Sequence, residues 1–298
     1  MKLVELVPNF SNGRDKAVVG LLEKCVESIP SAKLLDSEMD YDHNRSVITV
    51  VCPISDVVGL AFDLIKTAAE NIDMDVQKGL HPRFGSTDVM PLVPLEDTSM
   101  EDCVKLSHEI GKKVGNELKI PVFMYANSAL DPKRKNLENI RNKKFQIEEL
   151  RKAIGMGDYV PDYGPSKIGK AGATIMGARD LLIAYNIYLN SDDIQAGRKI
   201  ASAIRARDGG FAYVKSLAFR IPGNNLVQIS MNIVNYRKNP VYRIFEAVRS
   251  EAAGYGISIV KSEFIGMVPR DAIVDTINHY LMSDIENKNI LDFKAGKI

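Results

Sequence analysis

The strongest constraint on the fold is an order of elements that occurs twice. Apolar residues mark a strand over 2–7, and the spacing of Val18, Leu21, Leu22, Cys25 and Val26 marks one face of a helix. Two β-rich runs, around 33–39 and 46–53, flank the polar stretch Asp40 to Arg45 and read as a hairpin. Helical spacing returns over 55–70, with Ser55 as the expected N-cap, and 88–94 reads as a further strand. The second half gives a strand over 180–189, a helix over 192–206, strands over 213–221 and 225–234, a helix over 240–254 and a strand over 257–264. Each half therefore reads β-α-β-β-α-β, the order of the split βαβ, or ferredoxin-like, unit. A chain of 298 residues has room for two such units. The expected architecture is α+β, with two ferredoxin-like lobes side by side, the first over 1–178 and the second over 179–298.

The stretch between the two repeats is less regular. Ser99 and Asp102 form a capping-box start to a helix expected over 99–118, and 121–126 reads as a short strand. Residues 131–152 mix Lys, Arg and Glu at helical spacing with few apolar anchors, which predicts a solvated helix. The Gly-, Pro- and Asp-rich stretch Gly155 to Gly172 predicts a loop near the lobe boundary. A terminal helix is expected over 270–285, and the last dozen residues are polar enough to fray.

Composition narrows the function classes. With 45% hydrophobic and 26% charged residues, the chain can bury a core and is not disordered as a whole. Its 39 basic and 38 acidic residues nearly cancel, so no global field recommends nucleic acid or an anionic membrane as partner. No run approaches the ~20 apolar residues that span a bilayer, and the opening MKLVELVPNF is too short in its apolar run for a signal peptide. Cys25, Cys52 and Cys103 are odd in number and sit in apolar patterns, as reduced core thiols do, so a cytoplasmic location is expected. No paired metal-ligand spacing such as HExxH or CxxC occurs, and no metal is expected.

Two segments carry chemistry. Gly164-Pro165-Ser166-Lys167-Ile168-Gly169-Lys170 satisfies the first seven positions of a phosphate-binding P-loop, but the eighth is Ala171, which has no hydroxyl for Mg²⁺. The context is also wrong, because the segment follows a polar run and precedes ATIMG, which reads as a strand. The glycines still permit close backbone approach to a flat or anionic ligand, and Lys167 and Lys170 supply positive charge; a surface loop without a ligand is the alternative. The second segment is Lys78-Gly79-Leu80-His81-Pro82-Arg83-Phe84-Gly85, in which Pro82 holds the histidine in extended geometry. An imidazole with an ordinary pKa of ~6.5, set beside a guanidinium, suits acid–base work on an anionic substrate. His43 lies in the polar turn Asp42-His43-Asn44-Arg45, whereas His108 and His279 sit on helices and read as structural.

Four segments together, VELVPNFSNGRD, DHNRSV at 42–47, KGLHPRFGSTDVMPLVP at 78–94 and PDYGPSKIGKAGATIMGARDLLIAYNIYL at 161–189, resemble the glutamate formimidoyltransferase family, which in animals occupies the N-terminal part of a bifunctional formimidoyltransferase-cyclodeaminase. The resemblance implies transfer of a formimino group from N-formimino-L-glutamate to tetrahydrofolate, the latter as co-substrate, in histidine breakdown. It also implies paired ferredoxin-like lobes with a substrate groove between them. His81 corresponds to the family's catalytic acid/base, and Gly164, Pro165, Ser166, Lys167, Ile168, Gly169, Lys170, Ala171 and Gly172 to its folate-contacting loop. The loop is one residue shorter than in the animal enzymes, with Ala171 where they carry tryptophan. The acidic residue that assists the histidine falls on Glu38, with Asp40 close by. Arg45 and Arg83, with His43 and Asn44, are candidates for contacts to substrate carboxylates; structural ion pairs are the alternative for the two arginines. The expected partners are these small molecules, with a homodimer as the assembly and a separate cyclodeaminase as a further partner. A formyl donor, or folate binding without catalysis, is the competing reading.

Overall fold

The computed structural model describes the chain except for Leu80, residues 142–144, Pro222, residues 292–298 and the side chain of Asp158. The described chain is mixed α+β and divides into two compact units, Met1–Asp180 and Leu181–Ile298. Most of the terminal segment expected to fray lies outside the described residues.

In the first unit, β1 (Lys2–Leu6) and β2 (Asn9–Phe10) run on as one strand broken at Val7-Pro8, where proline has no N–H to donate to a ladder. Then come α1 (Lys16–Glu27), β3 (Lys33–Asp40), β4 (Arg45–Pro53), α2 (Val57–Asn71) and β5 (Thr87–Glu96). β4 pairs antiparallel with β3 on one side and with β1 and β2 on the other, and β1 and β2 also pair antiparallel with β5. Asp15 caps α1 by accepting from the Ala17 N–H at 2.8 Å. Asp56 rather than Ser55 stands at the N-cap of α2, without a side-chain capping bond.

Alternation along β4 positions the site. Ile48, Val50 and Cys52 are fully buried in the core with Val18 and Leu22 of α1 and Leu60, Leu64 and Ile65 of α2. Burial of each Leu or Ile side chain stabilises by about 1.5–3 kcal/mol. Arg45, Val47 and Thr49 consequently project from the opposite face. The register sets Asp40 against Arg45, and Glu38 and Asn9 against Val47, so these polar residues share that face.

The sheet continues beyond the repeat. α3 (Met100–Lys113) starts at the Ser99–Asp102 capping box and passes into a π-turn, Val114–Leu118. β6 (Val122–Met124), α4 (Leu137–Ile140), α5 (Ile147–Ala153) and β7 (Thr174–Ala178) follow, with β7 parallel to both β5 and β6. The single solvated helix expected over 131–152 is corrected: the described residues hold a 3₁₀ turn at Pro132–Lys135 and the short α4 and α5. Few anchors suffice here because Ile140 and Leu150 bury against Phe84, Val89, Phe123 and Ile175. The charged residues are not all solvated either, since Arg134 pairs with Asp162 at 2.7 Å with both side chains 9% exposed.

The second unit comprises β8 (Ile183–Leu189), α6 (Ile194–Ile204), β9 (Val214–Ile221), β10 (Leu226–Ile233), α7 (Val241–Ala253), β11 (Ile259–Ile265) and α8 (Arg270–Leu281). Its antiparallel sheet has the order β11-β8-β10-β9. Ile187, Ile229, Ile200 and Ile244 lie in its core, all fully buried. Among the described residues, no helix is long and apolar enough to cross a membrane.

Candidate functional site

Two of the segments singled out in the sequence meet in space. The turn after β3 is closed by Asn44, whose φ of 50° is a left-handed conformation that asparagine tolerates. Asn44 is buried; its Oδ1 accepts from the Gly13 N–H at 2.9 Å and its Nδ2 donates to the Lys78 carbonyl at 2.8 Å. Gln77 Nε2 donates to the Asn44 carbonyl at 3.2 Å. At Gly79 a Cβ would fall 2.2 Å from the His43 carbonyl oxygen, so only glycine lets the two backbones approach this closely. Asn44, expected at the substrate, is instead the fastener that fixes the turn beneath His81.

Around His81 the charge is mainly positive. Its Nε2 lies 3.5 Å from Arg141 Nη1. Partial burial, then Arg141, Arg45 and His43, push its pKa down to about 3, against a slight opposing contribution from the Pro82 backbone. The ring is therefore neutral at physiological pH and able to accept a proton. Among the described residues, neither Asp40 nor Glu38 hydrogen-bonds to the His81 ring. Asp40 accepts from the His43 backbone N–H at 2.9 Å and pairs with His43 Nδ1 at 2.7 Å. Burial alone raises the Asp40 pKa, but those bonds and Arg45 outweigh it and the net shift is downward. Glu38 is exposed on the same sheet face, where it acts on Arg45 through space.

The buried acid near His81 is Asp88, fully enclosed at the start of β5. Its Oδ2 lies 3.2 Å from Arg141 Nη2, and the Arg141 side chain is 10% exposed. Burial pushes the Asp88 carboxyl up to about 6, against the pull of Arg141, Arg45 and the Phe84 backbone. Arg45 donates to Asn9 Oδ1 at 3.1 Å, on the sheet face that Asn9 and Arg45 share. Sequence reasoning missed both Asp88 and Arg141. Asp88 sits within the quoted 78–94 segment, whereas Arg141 was hidden in the charge-rich stretch read as solvated.

Arg83 takes the structural alternative. Its guanidinium pairs with Glu148 and donates to the Gln77 carbonyl, while its own carbonyl accepts from the Ile147 N–H at 2.8 Å. It thus ties α5 to the His81 segment.

The Gly164–Gly172 loop is pinned rather than loose. The Ser86 N–H donates to the Ala171 carbonyl at 2.8 Å, and the Met74 N–H to the Lys170 carbonyl at 2.9 Å. Ile168 and Ala171 pack on the core, and Lys170 pairs with Asp73 at 3.1 Å. Its glycines divide by role. Gly164 and Gly172 have φ of +83° and +75° and press on the backbones of Ile120 and Phe84, so they serve packing. A Cβ at Gly169 would meet nothing within 4 Å. Gly164, Ser166, Lys167, Gly169 and Lys170 are exposed.

Among the described residues, no group of three or more His, Cys, Asp or Glu side chains is placed to hold a metal ion. All three cysteines are free, with Cys52 and Cys103 buried. His108 Nδ1 bonds the Tyr163 hydroxyl at 2.9 Å, and His279 stacks on Tyr242.

Comparison with known proteins places this geometry in a family context. Residues 3–179 match the model of the formiminotransferase domain, N-terminal subdomain, and residues 184–295 match that of the formiminotransferase domain. A glutamate formimidoyltransferase from Thermoplasma acidophilum is 55% identical over 298 residues, covering 100% of this chain and 98% of that protein. One from Streptococcus pyogenes is 42% identical over 294 residues, covering 98% of each. The formimidoyltransferase-cyclodeaminase of Mus musculus is 35% identical over 285 residues, covering 94% of this chain and 52% of the mouse protein.

Proposed function

The chain belongs to the formiminotransferase family, and we propose that it transfers the formimino group of N-formimino-L-glutamate to tetrahydrofolate, giving 5-formiminotetrahydrofolate and L-glutamate. The observation that carries this reading is the 55% identity to a glutamate formimidoyltransferase along the whole chain. The site's chemistry agrees with it: a neutral histidine stands among fixed cations, and the reaction joins two carboxylate-bearing substrates.

The reaction needs one proton moved twice. N5 of tetrahydrofolate attacks the formimino carbon, the new N–C bond forms, and N5 gives up its proton. His81, neutral beforehand, accepts that proton. It then delivers the proton to the glutamate nitrogen as the C–N bond to that nitrogen breaks. General acid–base help of this kind contributes ~10²–10⁴-fold, and alignment of two bound substrates up to about 7–11 kcal/mol. The exposed face of the Gly164–Gly172 loop, with Ser166, Lys167 and Gly169, is assigned to the folate. Arg45 is assigned to a substrate carboxylate.

The β-α-β-β-α-β order in both units supports reading each as a ferredoxin-like lobe. The free cysteines agree with a reducing, cytoplasmic location.

A donor panel tests the function. The purified protein is given tetrahydrofolate with either formiminoglutamate or formylglutamate, and the folate product is converted to its methenyl form and followed by absorbance. Turnover with the formimino donor and little with the formyl donor is expected. Preference for the formyl donor, or folate binding without turnover of either, overturns the reading.

A further inference from the structure

The buried neighbourhood of His81 holds more charge and more unpaired polar atoms than its own residues balance. Arg141 places Nη1 3.5 Å from His81 Nε2 and Nη2 3.2 Å from Asp88 Oδ2, so its guanidinium stands between the histidine and the enclosed carboxylate. The contact with Asp88 is close enough for an ion pair, yet neither Asp88 oxygen has an aligned hydrogen bond among the described residues. Arg141 Nε and Arg45 Nε are also buried without a hydrogen-bond partner among those residues. Folded proteins pair the great majority of such atoms, and a cluster of exceptions calls for a missing polar occupant. Water meets the hydrogen-bonding need but not the charge. Arg45 has Asp40 and Glu38 beside it as well as Asp88, whereas the ion pair of Arg141 is with Asp88, a carboxylate whose pKa is already raised, so the positive charge of Arg141 is incompletely offset. The occupant that answers both needs is an anion with a planar pair of acceptors, and arginine recognises carboxylates in that geometry.

We propose that Arg141, held by Asp88, receives a carboxylate of the formiminoglutamate donor beside His81. This rests on the donor assigned above and adds the residue that seats it. When the carboxylate takes the guanidinium, Arg141 gives up its contact with His81 Nε2, and the lone pair there is left open to the proton from N5. Seating the donor and freeing the base become one event.

The test removes the charge from each side in turn. Wild type, Arg141→Met and Arg141→Lys are assayed with formiminoglutamate, with N-formimino-4-aminobutyrate, which lacks the α-carboxylate, and with N-formimino-2-aminobutyrate, which lacks the side-chain carboxylate. Wild type is expected to discriminate against one truncated donor by ~10²-fold in kcat/KM. Arg141→Met should lose a similar factor with formiminoglutamate but little more with that truncated donor, so the discrimination collapses. Arg141→Lys should keep part of it. Tetrahydrofolate affinity within about 3-fold of wild type in both variants shows that the site has kept its shape. If both variants retain wild-type discrimination, or if Arg141→Met keeps its KM for formiminoglutamate within about 3-fold, the assignment of Arg141 is overturned while the proposed activity stands. An inactive wild type overturns the activity itself, and the assignment with it.

Discussion

Replacing Gly172 by alanine separates the two uses of glycine in the Gly164–Gly172 loop. Gly172 has a φ of +75°, and an alanine Cβ there would lie 2.5 Å from the Phe84 carbonyl oxygen and 2.6 Å from Gly85 Cα. The left-handed conformation costs alanine about 1–2 kcal/mol. The clash adds a cost typical of overpacking, about 1–3 kcal/mol, because both neighbours are backbone atoms that cannot rotate away. Phe84 is held by the Ala173 N–H at 3.0 Å and Ser86 donates to Ala171 at 2.8 Å, so relief requires moving the strand entry that carries Asp88. Gly172→Ala should therefore destabilise the protein by about 2–5 kcal/mol and lower kcat/KM with it. The control is Gly169→Ala, whose Cβ meets nothing within 4 Å and whose stability should stay within ~0.5 kcal/mol of wild type. Urea unfolding followed by circular dichroism reads both variants. A Gly172→Ala protein as stable as wild type, with weakened folate binding, would refute the packing role and give this glycine to the ligand.

Three further outcomes follow from the charges. Removing a cation next to His81 should raise its basicity, so Arg141→Met should shift the acid limb of kcat/KM to higher pH; a limb in the same place in both proteins would dismiss the influence of Arg141 on the ring. Asp88 has a folded-state pKa raised to about 6, so its contribution to stability is fully present below the unfolded carboxylate value and is lost as pH rises through 6. Asp88→Asn should remove that dependence, up to about 3 kcal/mol between pH 4 and 7, and unchanged urea midpoint differences across this range would count against it. Arg83→Met should loosen α5 and cost about 1–3 kcal/mol of stability while leaving KM for formiminoglutamate within a few-fold; a large KM effect with normal stability would return Arg83 to the substrate.

What the sequence disclosed, and what it hid, follows from how each feature is encoded. The strands and helices of both β-α-β-β-α-β runs are legible because one-sided burial writes periods of 2 and 3.6 directly into the chain, as Ile48, Val50 and Cys52 do in β4. His81 is legible through its proline and glycine neighbours, which advertise an unusual backbone. Arg141 is not, because its stretch gains order from tertiary contacts of a few residues such as Ile140 and Leu150, too sparse to set a period. Asp88 is equally silent, since a carboxylate in the polar run Ser86-Thr87-Asp88 that leads into an apolar strand looks like any strand entry until its partners are seen. The glycines of the Gly164–Gly172 loop are readable as conformational freedom but not as its purpose. Gly164 and Gly172 use it to pack against Ile120 and Phe84, and only the three-dimensional neighbours distinguish that from making room for a ligand.

The account turns on His81 as the proton carrier of formimino transfer, and the most direct test is the turnover of His81→Ala with both substrates saturating, set beside its affinity for tetrahydrofolate. Loss of ~10²–10⁴-fold in kcat, with the folate dissociation constant within a few-fold of wild type, is the predicted result. A variant that turns over at a near-normal rate would contradict the mechanism and leave the histidine as a packed member of the charged cluster.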